Sequence, residues 1–124
     1  MRKEITLTPA EEKLAVIIWR EAPISSPALS DFALAELDWK KTTTYTVLKK
    51  LCEKGVFRNE YAKVSTVLTR DELIAHQSRR YVEDTFGGSL PRFIASFIDG
   101  ENLSNEQADE LIKLIQNHKE EKNG

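Results

Sequence analysis

The chain has 124 residues, of which 40% are hydrophobic and 31% charged, and its formal net charge is −2. This length suits one domain, or one small domain with an accessory segment. The longest apolar run is too short to cross a bilayer, and the first residues lack an apolar signal core, so we expect a cytoplasmic protein without membrane insertion. The single cysteine, Cys52, excludes an internal disulfide and a cysteine-rich metal cluster.

The charge is distributed unevenly along the chain. Residues 1–70 hold 12 Lys+Arg against 9 Asp+Glu, whereas residues 71–124 hold 6 against 11. A modestly basic first half and an acidic second half fit a nucleic-acid-binding module joined to a protein-interaction module. The excess of positive charge in residues 1–70 is small, so ordinary variation in surface charge also explains it.

Three helices are predicted in the first half. Thr8-Pro9-Ala10-Glu11 is a capping box with proline at the first helical position, and the run that follows places Trp19 in the core. Ser26-Pro27 begins the second helix. The third is expected from about Lys40 to Lys54, with Gly55 as the residue that ends it.

The third helix has two distinct faces. Its apolar face, expected to be buried, carries Thr44, Val47, Leu48, Leu51 and Cys52. The opposite face carries hydroxyl, phenol and ammonium groups, namely Thr42, Thr43, Tyr45, Thr46, Lys49 and Lys50. Such groups suit base edges and phosphates, so this helix is interpreted as a recognition helix.

Two short strands are predicted after Gly55, from Val56 to Arg58 and from Val64 to Leu68, with residues 59–63 as the tip of a wing between them. The predicted order is therefore three helices, two strands and three further helices. This is a mainly α fold with a small β-wing: a winged helix-turn-helix DNA-binding domain at 1–70, followed by a helical dimerisation domain at 71–124.

The second half contains three predicted helices. Thr69 to Glu72 is a capping box for a helix that ends near Phe86, Ser89 and Pro91 begin the next, and Ser104 to Gln107 begins the last, whose final residues 119–124 are expected to fray. Helices this short cannot bury their apolar stripes alone, so a homodimer is expected. The residues assigned to dimerisation are Leu90, Phe93, Ile94, Phe97, Ile98, Leu111, Ile112, Leu114 and Ile115.

These residues resemble the BlaI/MecI/CopY family of bacterial repressors over nearly the full length. The resemblance rests on LTPAEEKLAVIIW, on WKKTTTYTVLKKLCEKG and on FIASFIDGENLSNEQADELIKLI. It implies a dimeric winged-helix repressor that binds a palindromic operator and blocks a promoter.

The resemblance also implies how repression is relieved. In the antibiotic-resistance branch a sensor protease acts within the dimerisation helices, and the corresponding bond joins Ser96 to Phe97, where that branch has Asn–Phe. Phe97 matches and Ser96 departs from the pattern. The cysteine cluster of the copper branch is missing. Val64 stands where the family usually has an arginine, so contacts of the wing with the DNA backbone are expected either to be weaker or to come from Arg58 or Lys63.

Within this interpretation each polar side chain of the third helix has an assigned role. Thr43 and Thr46 are expected to contact base edges, with Thr42 beside them, because a threonine methyl fits the thymine methyl. Lys40, Lys41, Lys49 and Lys50 are expected on phosphates, with Lys54 as a further candidate. Tyr45 either stacks on the DNA backbone or covers its own helix.

Other functions find less support in the sequence. The only two histidines, His76 and His118, are solitary, and no metal-ligand or nucleotide-binding spacing occurs, so no metal or cofactor is expected. No nucleophile motif suggests an enzyme. The alternative hypothesis is a winged-helix adaptor that binds proteins and not DNA, which the weak positive charge and the missing wing arginine favour.

Overall fold

The structure is a computed structural model that describes residues 5–100 and 102–123. It contains α1 (Pro9–Glu21), β1 (Ile24–Ser25), α2 (Ser26–Leu37), α3 (Lys41–Glu53), β2 (Phe57–Glu60), β3 (Lys63–Thr66), α4 (Arg70–Phe86), α5 (Leu90–Gly100) and α6 (Asn105–Asn123). The chain divides into two compact units, Met1–Tyr81 and Val82–Gly124. The predicted fold class, mainly helical with a small wing, is confirmed.

The predicted helix starts are confirmed by their caps. The Thr8 hydroxyl accepts from the Glu11 amide while the Glu11 carboxylate accepts from the Thr8 amide, and Thr69 and Glu72 form the same reciprocal pair. Each box satisfies amides that the first turn leaves without partners. The ends of α3 also agree, since Lys40 and Lys54 are its two cap residues.

The sheet differs from the prediction in having a third strand. Its order is β1-β3-β2, fully antiparallel, and Ile24 and Ser25 of β1 pair with Val64 and Lys63 of β3. β1 was not predicted, because its two residues are too few to show an alternating pattern. The wing strands are also shifted from their predicted bounds, and the loop between them has only two residues, Tyr61 and Ala62.

One hydrophobic core holds the first unit together. It lies where α1, α2 and α3 meet the sheet and the start of α4, and its buried members include Leu14, Ile18, Leu29, Leu48, Leu51, Val56, Phe57, Val64 and Leu73. Burying one such leucine or phenylalanine contributes about 1.5–3 kcal/mol. The backbone of α3 is therefore fixed by its inner face, independently of what its outer face does.

The second unit contains the end of α4, then α5 and α6. Gly87 and Gly88, with φ of 59° and 83°, end α4 in the left-handed region that glycine adopts easily. The Phe86 and Phe93 rings lie 5.5 Å apart across this turn. α6 continues to Asn123, through residues that were expected to fray, and the lysines and glutamates there are good helix formers.

Candidate nucleic-acid interface

A tight turn places α3 after α2. Asp38, the C-cap of α2, adopts a left-handed conformation with φ of 57°, which asparagine and aspartate tolerate better than most residues. The Trp39 amide donates to the Ala33 carbonyl at 3.3 Å, and the Trp39 side chain packs partly buried against the core. Trp39 therefore supports the turn between the two helices.

The inner and outer faces of α3 separate as the periodicity indicated. Thr44, Leu48 and Leu51 are buried, whereas Val47 and Cys52, predicted to be buried, lie half-buried at its edges. The exposed side chains are Lys40 and Lys41 at the start of the helix and Thr42, Thr43, Thr46, Lys49 and Lys50 along its outer face. No described residue of the first unit covers these seven side chains enough to bury them.

Two polar side chains on the exposed part of α3, Thr46 and Lys41, make contacts within the helix. The Thr46 hydroxyl donates to the Thr42 carbonyl at 2.9 Å, so its oxygen can still accept a hydrogen bond and its methyl group stays exposed. The Lys41 ammonium lies 5.7 Å from the centroid of the Tyr45 ring, a cation–π distance. That ring is half-buried against the core, so Tyr45 covers its own helix at least in part.

Lys54 differs from the other lysines of α3. Its ammonium donates to the Thr6 carbonyl at 2.7 Å and to Glu11 Oε1, and Glu11 is only 2% exposed. Burial raises the pKa of the Glu11 carboxyl, but hydrogen bonds from Lys54 and Thr8 outweigh burial and lower that pKa overall. Lys54 is therefore engaged in joining α3 to α1 and is a poor candidate for a phosphate contact.

The wing carries two cationic side chains and an aromatic tip. Arg58 and Lys63 are exposed, and Arg58 Nε lies 3.6 Å from Glu60 Oε1. Val64, at the position of the missing arginine, is completely buried in the core. Tyr61 lies fully exposed at the wing tip. No role was predicted for it, because a tyrosine is not a residue that signals a turn.

A hydrogen bond attaches the base of the wing to α1. The Trp19 indole N–H donates to the Leu68 carbonyl at 2.9 Å, and the Trp19 ring lies 5.4 Å from that of Phe57 at the start of β2. Trp19 is thus partly buried and packed against the core, close to its predicted role. Trp19 therefore holds both strands of the wing against α1, the helix to which it belongs.

The second unit exposes much of its apolar surface. Of the residues assigned to dimerisation, Leu90, Phe97, Ile98, Ile112, Leu114 and Ile115 are exposed, with fractions from 43% to 67%. Phe93, Ile94 and Leu111 are half-buried. Ser96 and Phe97 are adjacent exposed residues inside α5.

Three further properties of the described residues concern metal binding, thiol reactivity and membrane insertion. Within residues 5–100 and 102–123, no three His, Cys, Asp or Glu side chains come together as a metal site. Burial raises the pKa of the half-buried Cys52 thiol, which keeps it protonated and unreactive near neutral pH. None of the described helices is both long and apolar enough to span a membrane.

Comparison with known proteins finds similarity over almost the whole chain. A family model described as penicillinase repressor matches residues 7–117. The penicillinase repressor of Bacillus licheniformis is 23% identical over 126 aligned positions, covering 98% of each chain. The methicillin resistance regulatory protein MecI of Staphylococcus epidermidis is 20% identical over 117 positions, covering 91% of this chain and 95% of its own. The match spans both structural units, and the chain therefore belongs to the penicillinase repressor family.

Proposed function

We propose that the protein is a cytoplasmic, homodimeric transcriptional repressor that binds double-stranded DNA at an inverted-repeat operator. The observation that carries the proposal is the start and outer face of α3, where seven hydroxyl and ammonium side chains remain exposed although the inner face is anchored in the core. Family membership supports the same function, because the relatives are a penicillinase repressor and a methicillin resistance regulator. Like them, the protein would act by binding and not by catalysis.

Base recognition would fall to the threonines. Thr43 and Thr46 are three residues apart and exposed on one side of α3, so both reach the same groove surface. The Thr46 oxygen, its hydrogen already donated to Thr42, would accept from an exocyclic amine, while the methyl groups pack on thymine methyls. Thr42 would lie beside this pair.

Phosphate contacts would come from the cations around this face. Lys40, Lys41, Lys49 and Lys50 surround the threonines, and Arg58 and Lys63 extend the charge onto the wing. Each contact that neutralises a phosphate releases counterions and makes affinity fall with salt. Tyr45, which packs beneath Lys41, would present that ammonium to the backbone.

Dimerisation would use α5 and α6. The exposed leucine, isoleucine and phenylalanine side chains on these helices form an apolar surface of the kind that a second copy covers. Residues 71–124 would thus be the dimerisation domain and residues 1–70 the DNA-binding domain. Two copies of α3 would read half-sites about 34 Å apart, or a multiple of that distance, and the bound dimer would occlude a promoter.

Relief of repression would follow from loss of the dimer. Cleavage of the Ser96–Phe97 bond by a sensor protease would cut α5 in the middle of its apolar stripe. The separated DNA-binding domains would then lose the avidity of two linked contacts. Ser96 is exposed on the side of α5 away from the apolar stripe, which supports access to this bond, and another signal that weakens the dimer would have the same effect.

A gel-shift assay with the region upstream of the gene tests the proposal. Wild-type protein should give a salt-sensitive, sequence-selective shift below micromolar concentration, and Thr46→Ala with Lys50→Ala should weaken it. Thr85→Ala with Lys13→Ala is a matched control, because both residues are exposed but lie on α4 and α1. Without a selective shift, or with equal weakening by both pairs, DNA binding through α3 is wrong.

A further inference from the structure

Tyr61 occupies an unusual position at the tip of the wing. Its side chain is 104% exposed relative to the reference state, more than any other large hydrophobic residue described. It is the first of two loop residues, and both have positive φ, 51° for Tyr61 and 60° for Ala62. Two consecutive left-handed residues define a hairpin turn that Asn-Gly prefers.

The tip is held firmly by the rest of the first unit. Glu60 pairs with Lys63 directly below the loop. The Ala62 carbonyl accepts from the Ser26 amide at 2.8 Å, which ties the loop to the start of α2. Ser25 of β1 pairs with Lys63 on the other side of β3, so the ring projects from an arm that is anchored on two sides.

A tyrosine at position 61 does not stabilise the folded chain. Residues with a Cβ atom are disfavoured in the left-handed region, and a fully exposed ring gains no burial. The same hairpin presents Arg58 and Lys63 against Glu60, which lies 3.6 Å from Arg58, so two positive charges and one negative charge leave it with a net charge of +1. A fully exposed aromatic ring on a narrow, anchored and weakly positive loop suits a narrow anionic groove, which describes the minor groove of DNA.

We propose that the Tyr61 ring enters the minor groove beside each half-site and packs against its deoxyribose walls, positioning the wing while α3 occupies the major groove. This inference rests on the proposed DNA-binding function and adds a contact to it. The minor groove is about 6 Å wide, enough for a ring inserted edge-on. Its width depends on sequence, so the contact would add preference for base pairs that α3 does not touch.

The test uses the full-length protein and an operator duplex that the wild type binds. Tyr61→Ser should lose about tenfold in affinity, as expected when one aromatic contact to nucleic acid is removed, while Tyr61→Phe should bind like the wild type. Hydroxyl-radical footprinting should show protected sugars in the minor groove flanking each half-site, and Tyr61→Ser should lose this protection alone.

Two variants separate the contact from the stability of the turn. Ala62→Gly relieves one left-handed residue and keeps the ring, so it should be more stable and bind unchanged. Tyr61→Asn with Ala62→Gly gives the preferred turn sequence, so it should be at least as stable as the wild type and still bind about tenfold more weakly.

The outcomes distinguish this inference from the function on which it rests. If the wild type binds no operator duplex, both are wrong. If it binds and the stable double variant binds and protects the sugars equally well, only the Tyr61 contact is wrong. Equal losses in Tyr61→Phe and Tyr61→Ser would overturn ring packing in favour of a hydroxyl contact.

Discussion

The Lys54 ammonium donates a hydrogen bond to the Glu11 carboxylate, 43 residues away in sequence, and so joins the end of α3 to the start of α1. The same carboxylate oxygen accepts from the Thr8 amide at 2.9 Å. One side chain thus caps α1 and holds the helix that presents the candidate DNA-binding face. Its carboxylate is almost completely buried, whereas Lys54 is about one-third exposed.

Glu11→Gln should therefore destabilise the first unit. Glutamine keeps an oxygen for the Thr8 amide but removes the charge that pairs with Lys54, and a partly exposed pair of this kind is worth about 1–2 kcal/mol. Urea unfolding followed by circular dichroism measures the change. A double-mutant cycle with Lys54→Met isolates the pair, and a coupling energy near zero would contradict its role.

The same pair predicts a dependence of stability on acid. The Glu11 pKa is lower in the folded chain than its ordinary value of 4.5, so its contribution is fully present above about 4.5 and disappears as the pH falls through the lower folded value. The free energy of unfolding of the wild type should fall toward Glu11→Gln below that pH. If the free energies of unfolding of the wild type and Glu11→Gln change in parallel with pH, Glu11 does not cause the loss of stability in acid.

Trp19→Phe should weaken the attachment of the wing. Phenylalanine keeps a ring beside Phe57 but leaves the Leu68 carbonyl without its donor, at a cost of about 1–2 kcal/mol. Thermal unfolding measures the effect. Trp39→Phe is the matched control, since Trp39 is likewise partly buried, and it should cost clearly less; the opposite order would show that this hydrogen bond is unimportant.

Phe97→Glu should dissociate the proposed dimer. A carboxylate within the apolar stripe of α5 would be buried without a partner in the dimer, which is strongly unfavourable. Ala95→Glu adds the same charge to the opposite side of α5 and should leave the dimer intact. Sedimentation velocity distinguishes monomer from dimer, and a wild-type protein that stays monomeric at tens of micromolar would exclude this interface.

Salt dependence should separate the two classes of contact on α3. Lys50→Ala should reduce the slope of log affinity against log salt by about one, because one phosphate contact is lost. Thr43→Ala should leave the slope unchanged and reduce discrimination between operator and altered half-sites by about 1–3 kcal/mol. Fluorescence anisotropy from 50 to 300 mM salt measures both quantities. A reduced slope in Thr43→Ala and an unchanged slope in Lys50→Ala would show that the assignments are wrong.

Local sequence signals predicted most of the fold. The capping boxes at Thr8 and Thr69 determine where helices begin, and the periodicity of Leu48 and Leu51 determines which side of α3 is buried. Both signals act over a few residues and are therefore readable without tertiary information. The division of α3 into an anchored face and an exposed face followed directly from them.

The features that the sequence did not reveal depend on distant contacts. β1 has only two residues and exists because Ile24 meets Val64. The engagement of Lys54 required Glu11 to arrive from α1, and nothing in the local pattern distinguishes Lys54 from Lys50. The two-residue wing tip was hidden because Tyr61 and Ala62 are not residues that favour its left-handed conformation.

Threonine-methyl NMR can show whether DNA covers the outer face of α3. In protein labelled at threonine methyls, adding the operator duplex should shift the Thr43 and Thr46 signals strongly and Thr42 to a lesser degree. The signal of Thr44, which is buried on the inner face of the same helix, should shift little. Unchanged Thr43 and Thr46 signals with a duplex that the protein demonstrably binds would contradict recognition through this face.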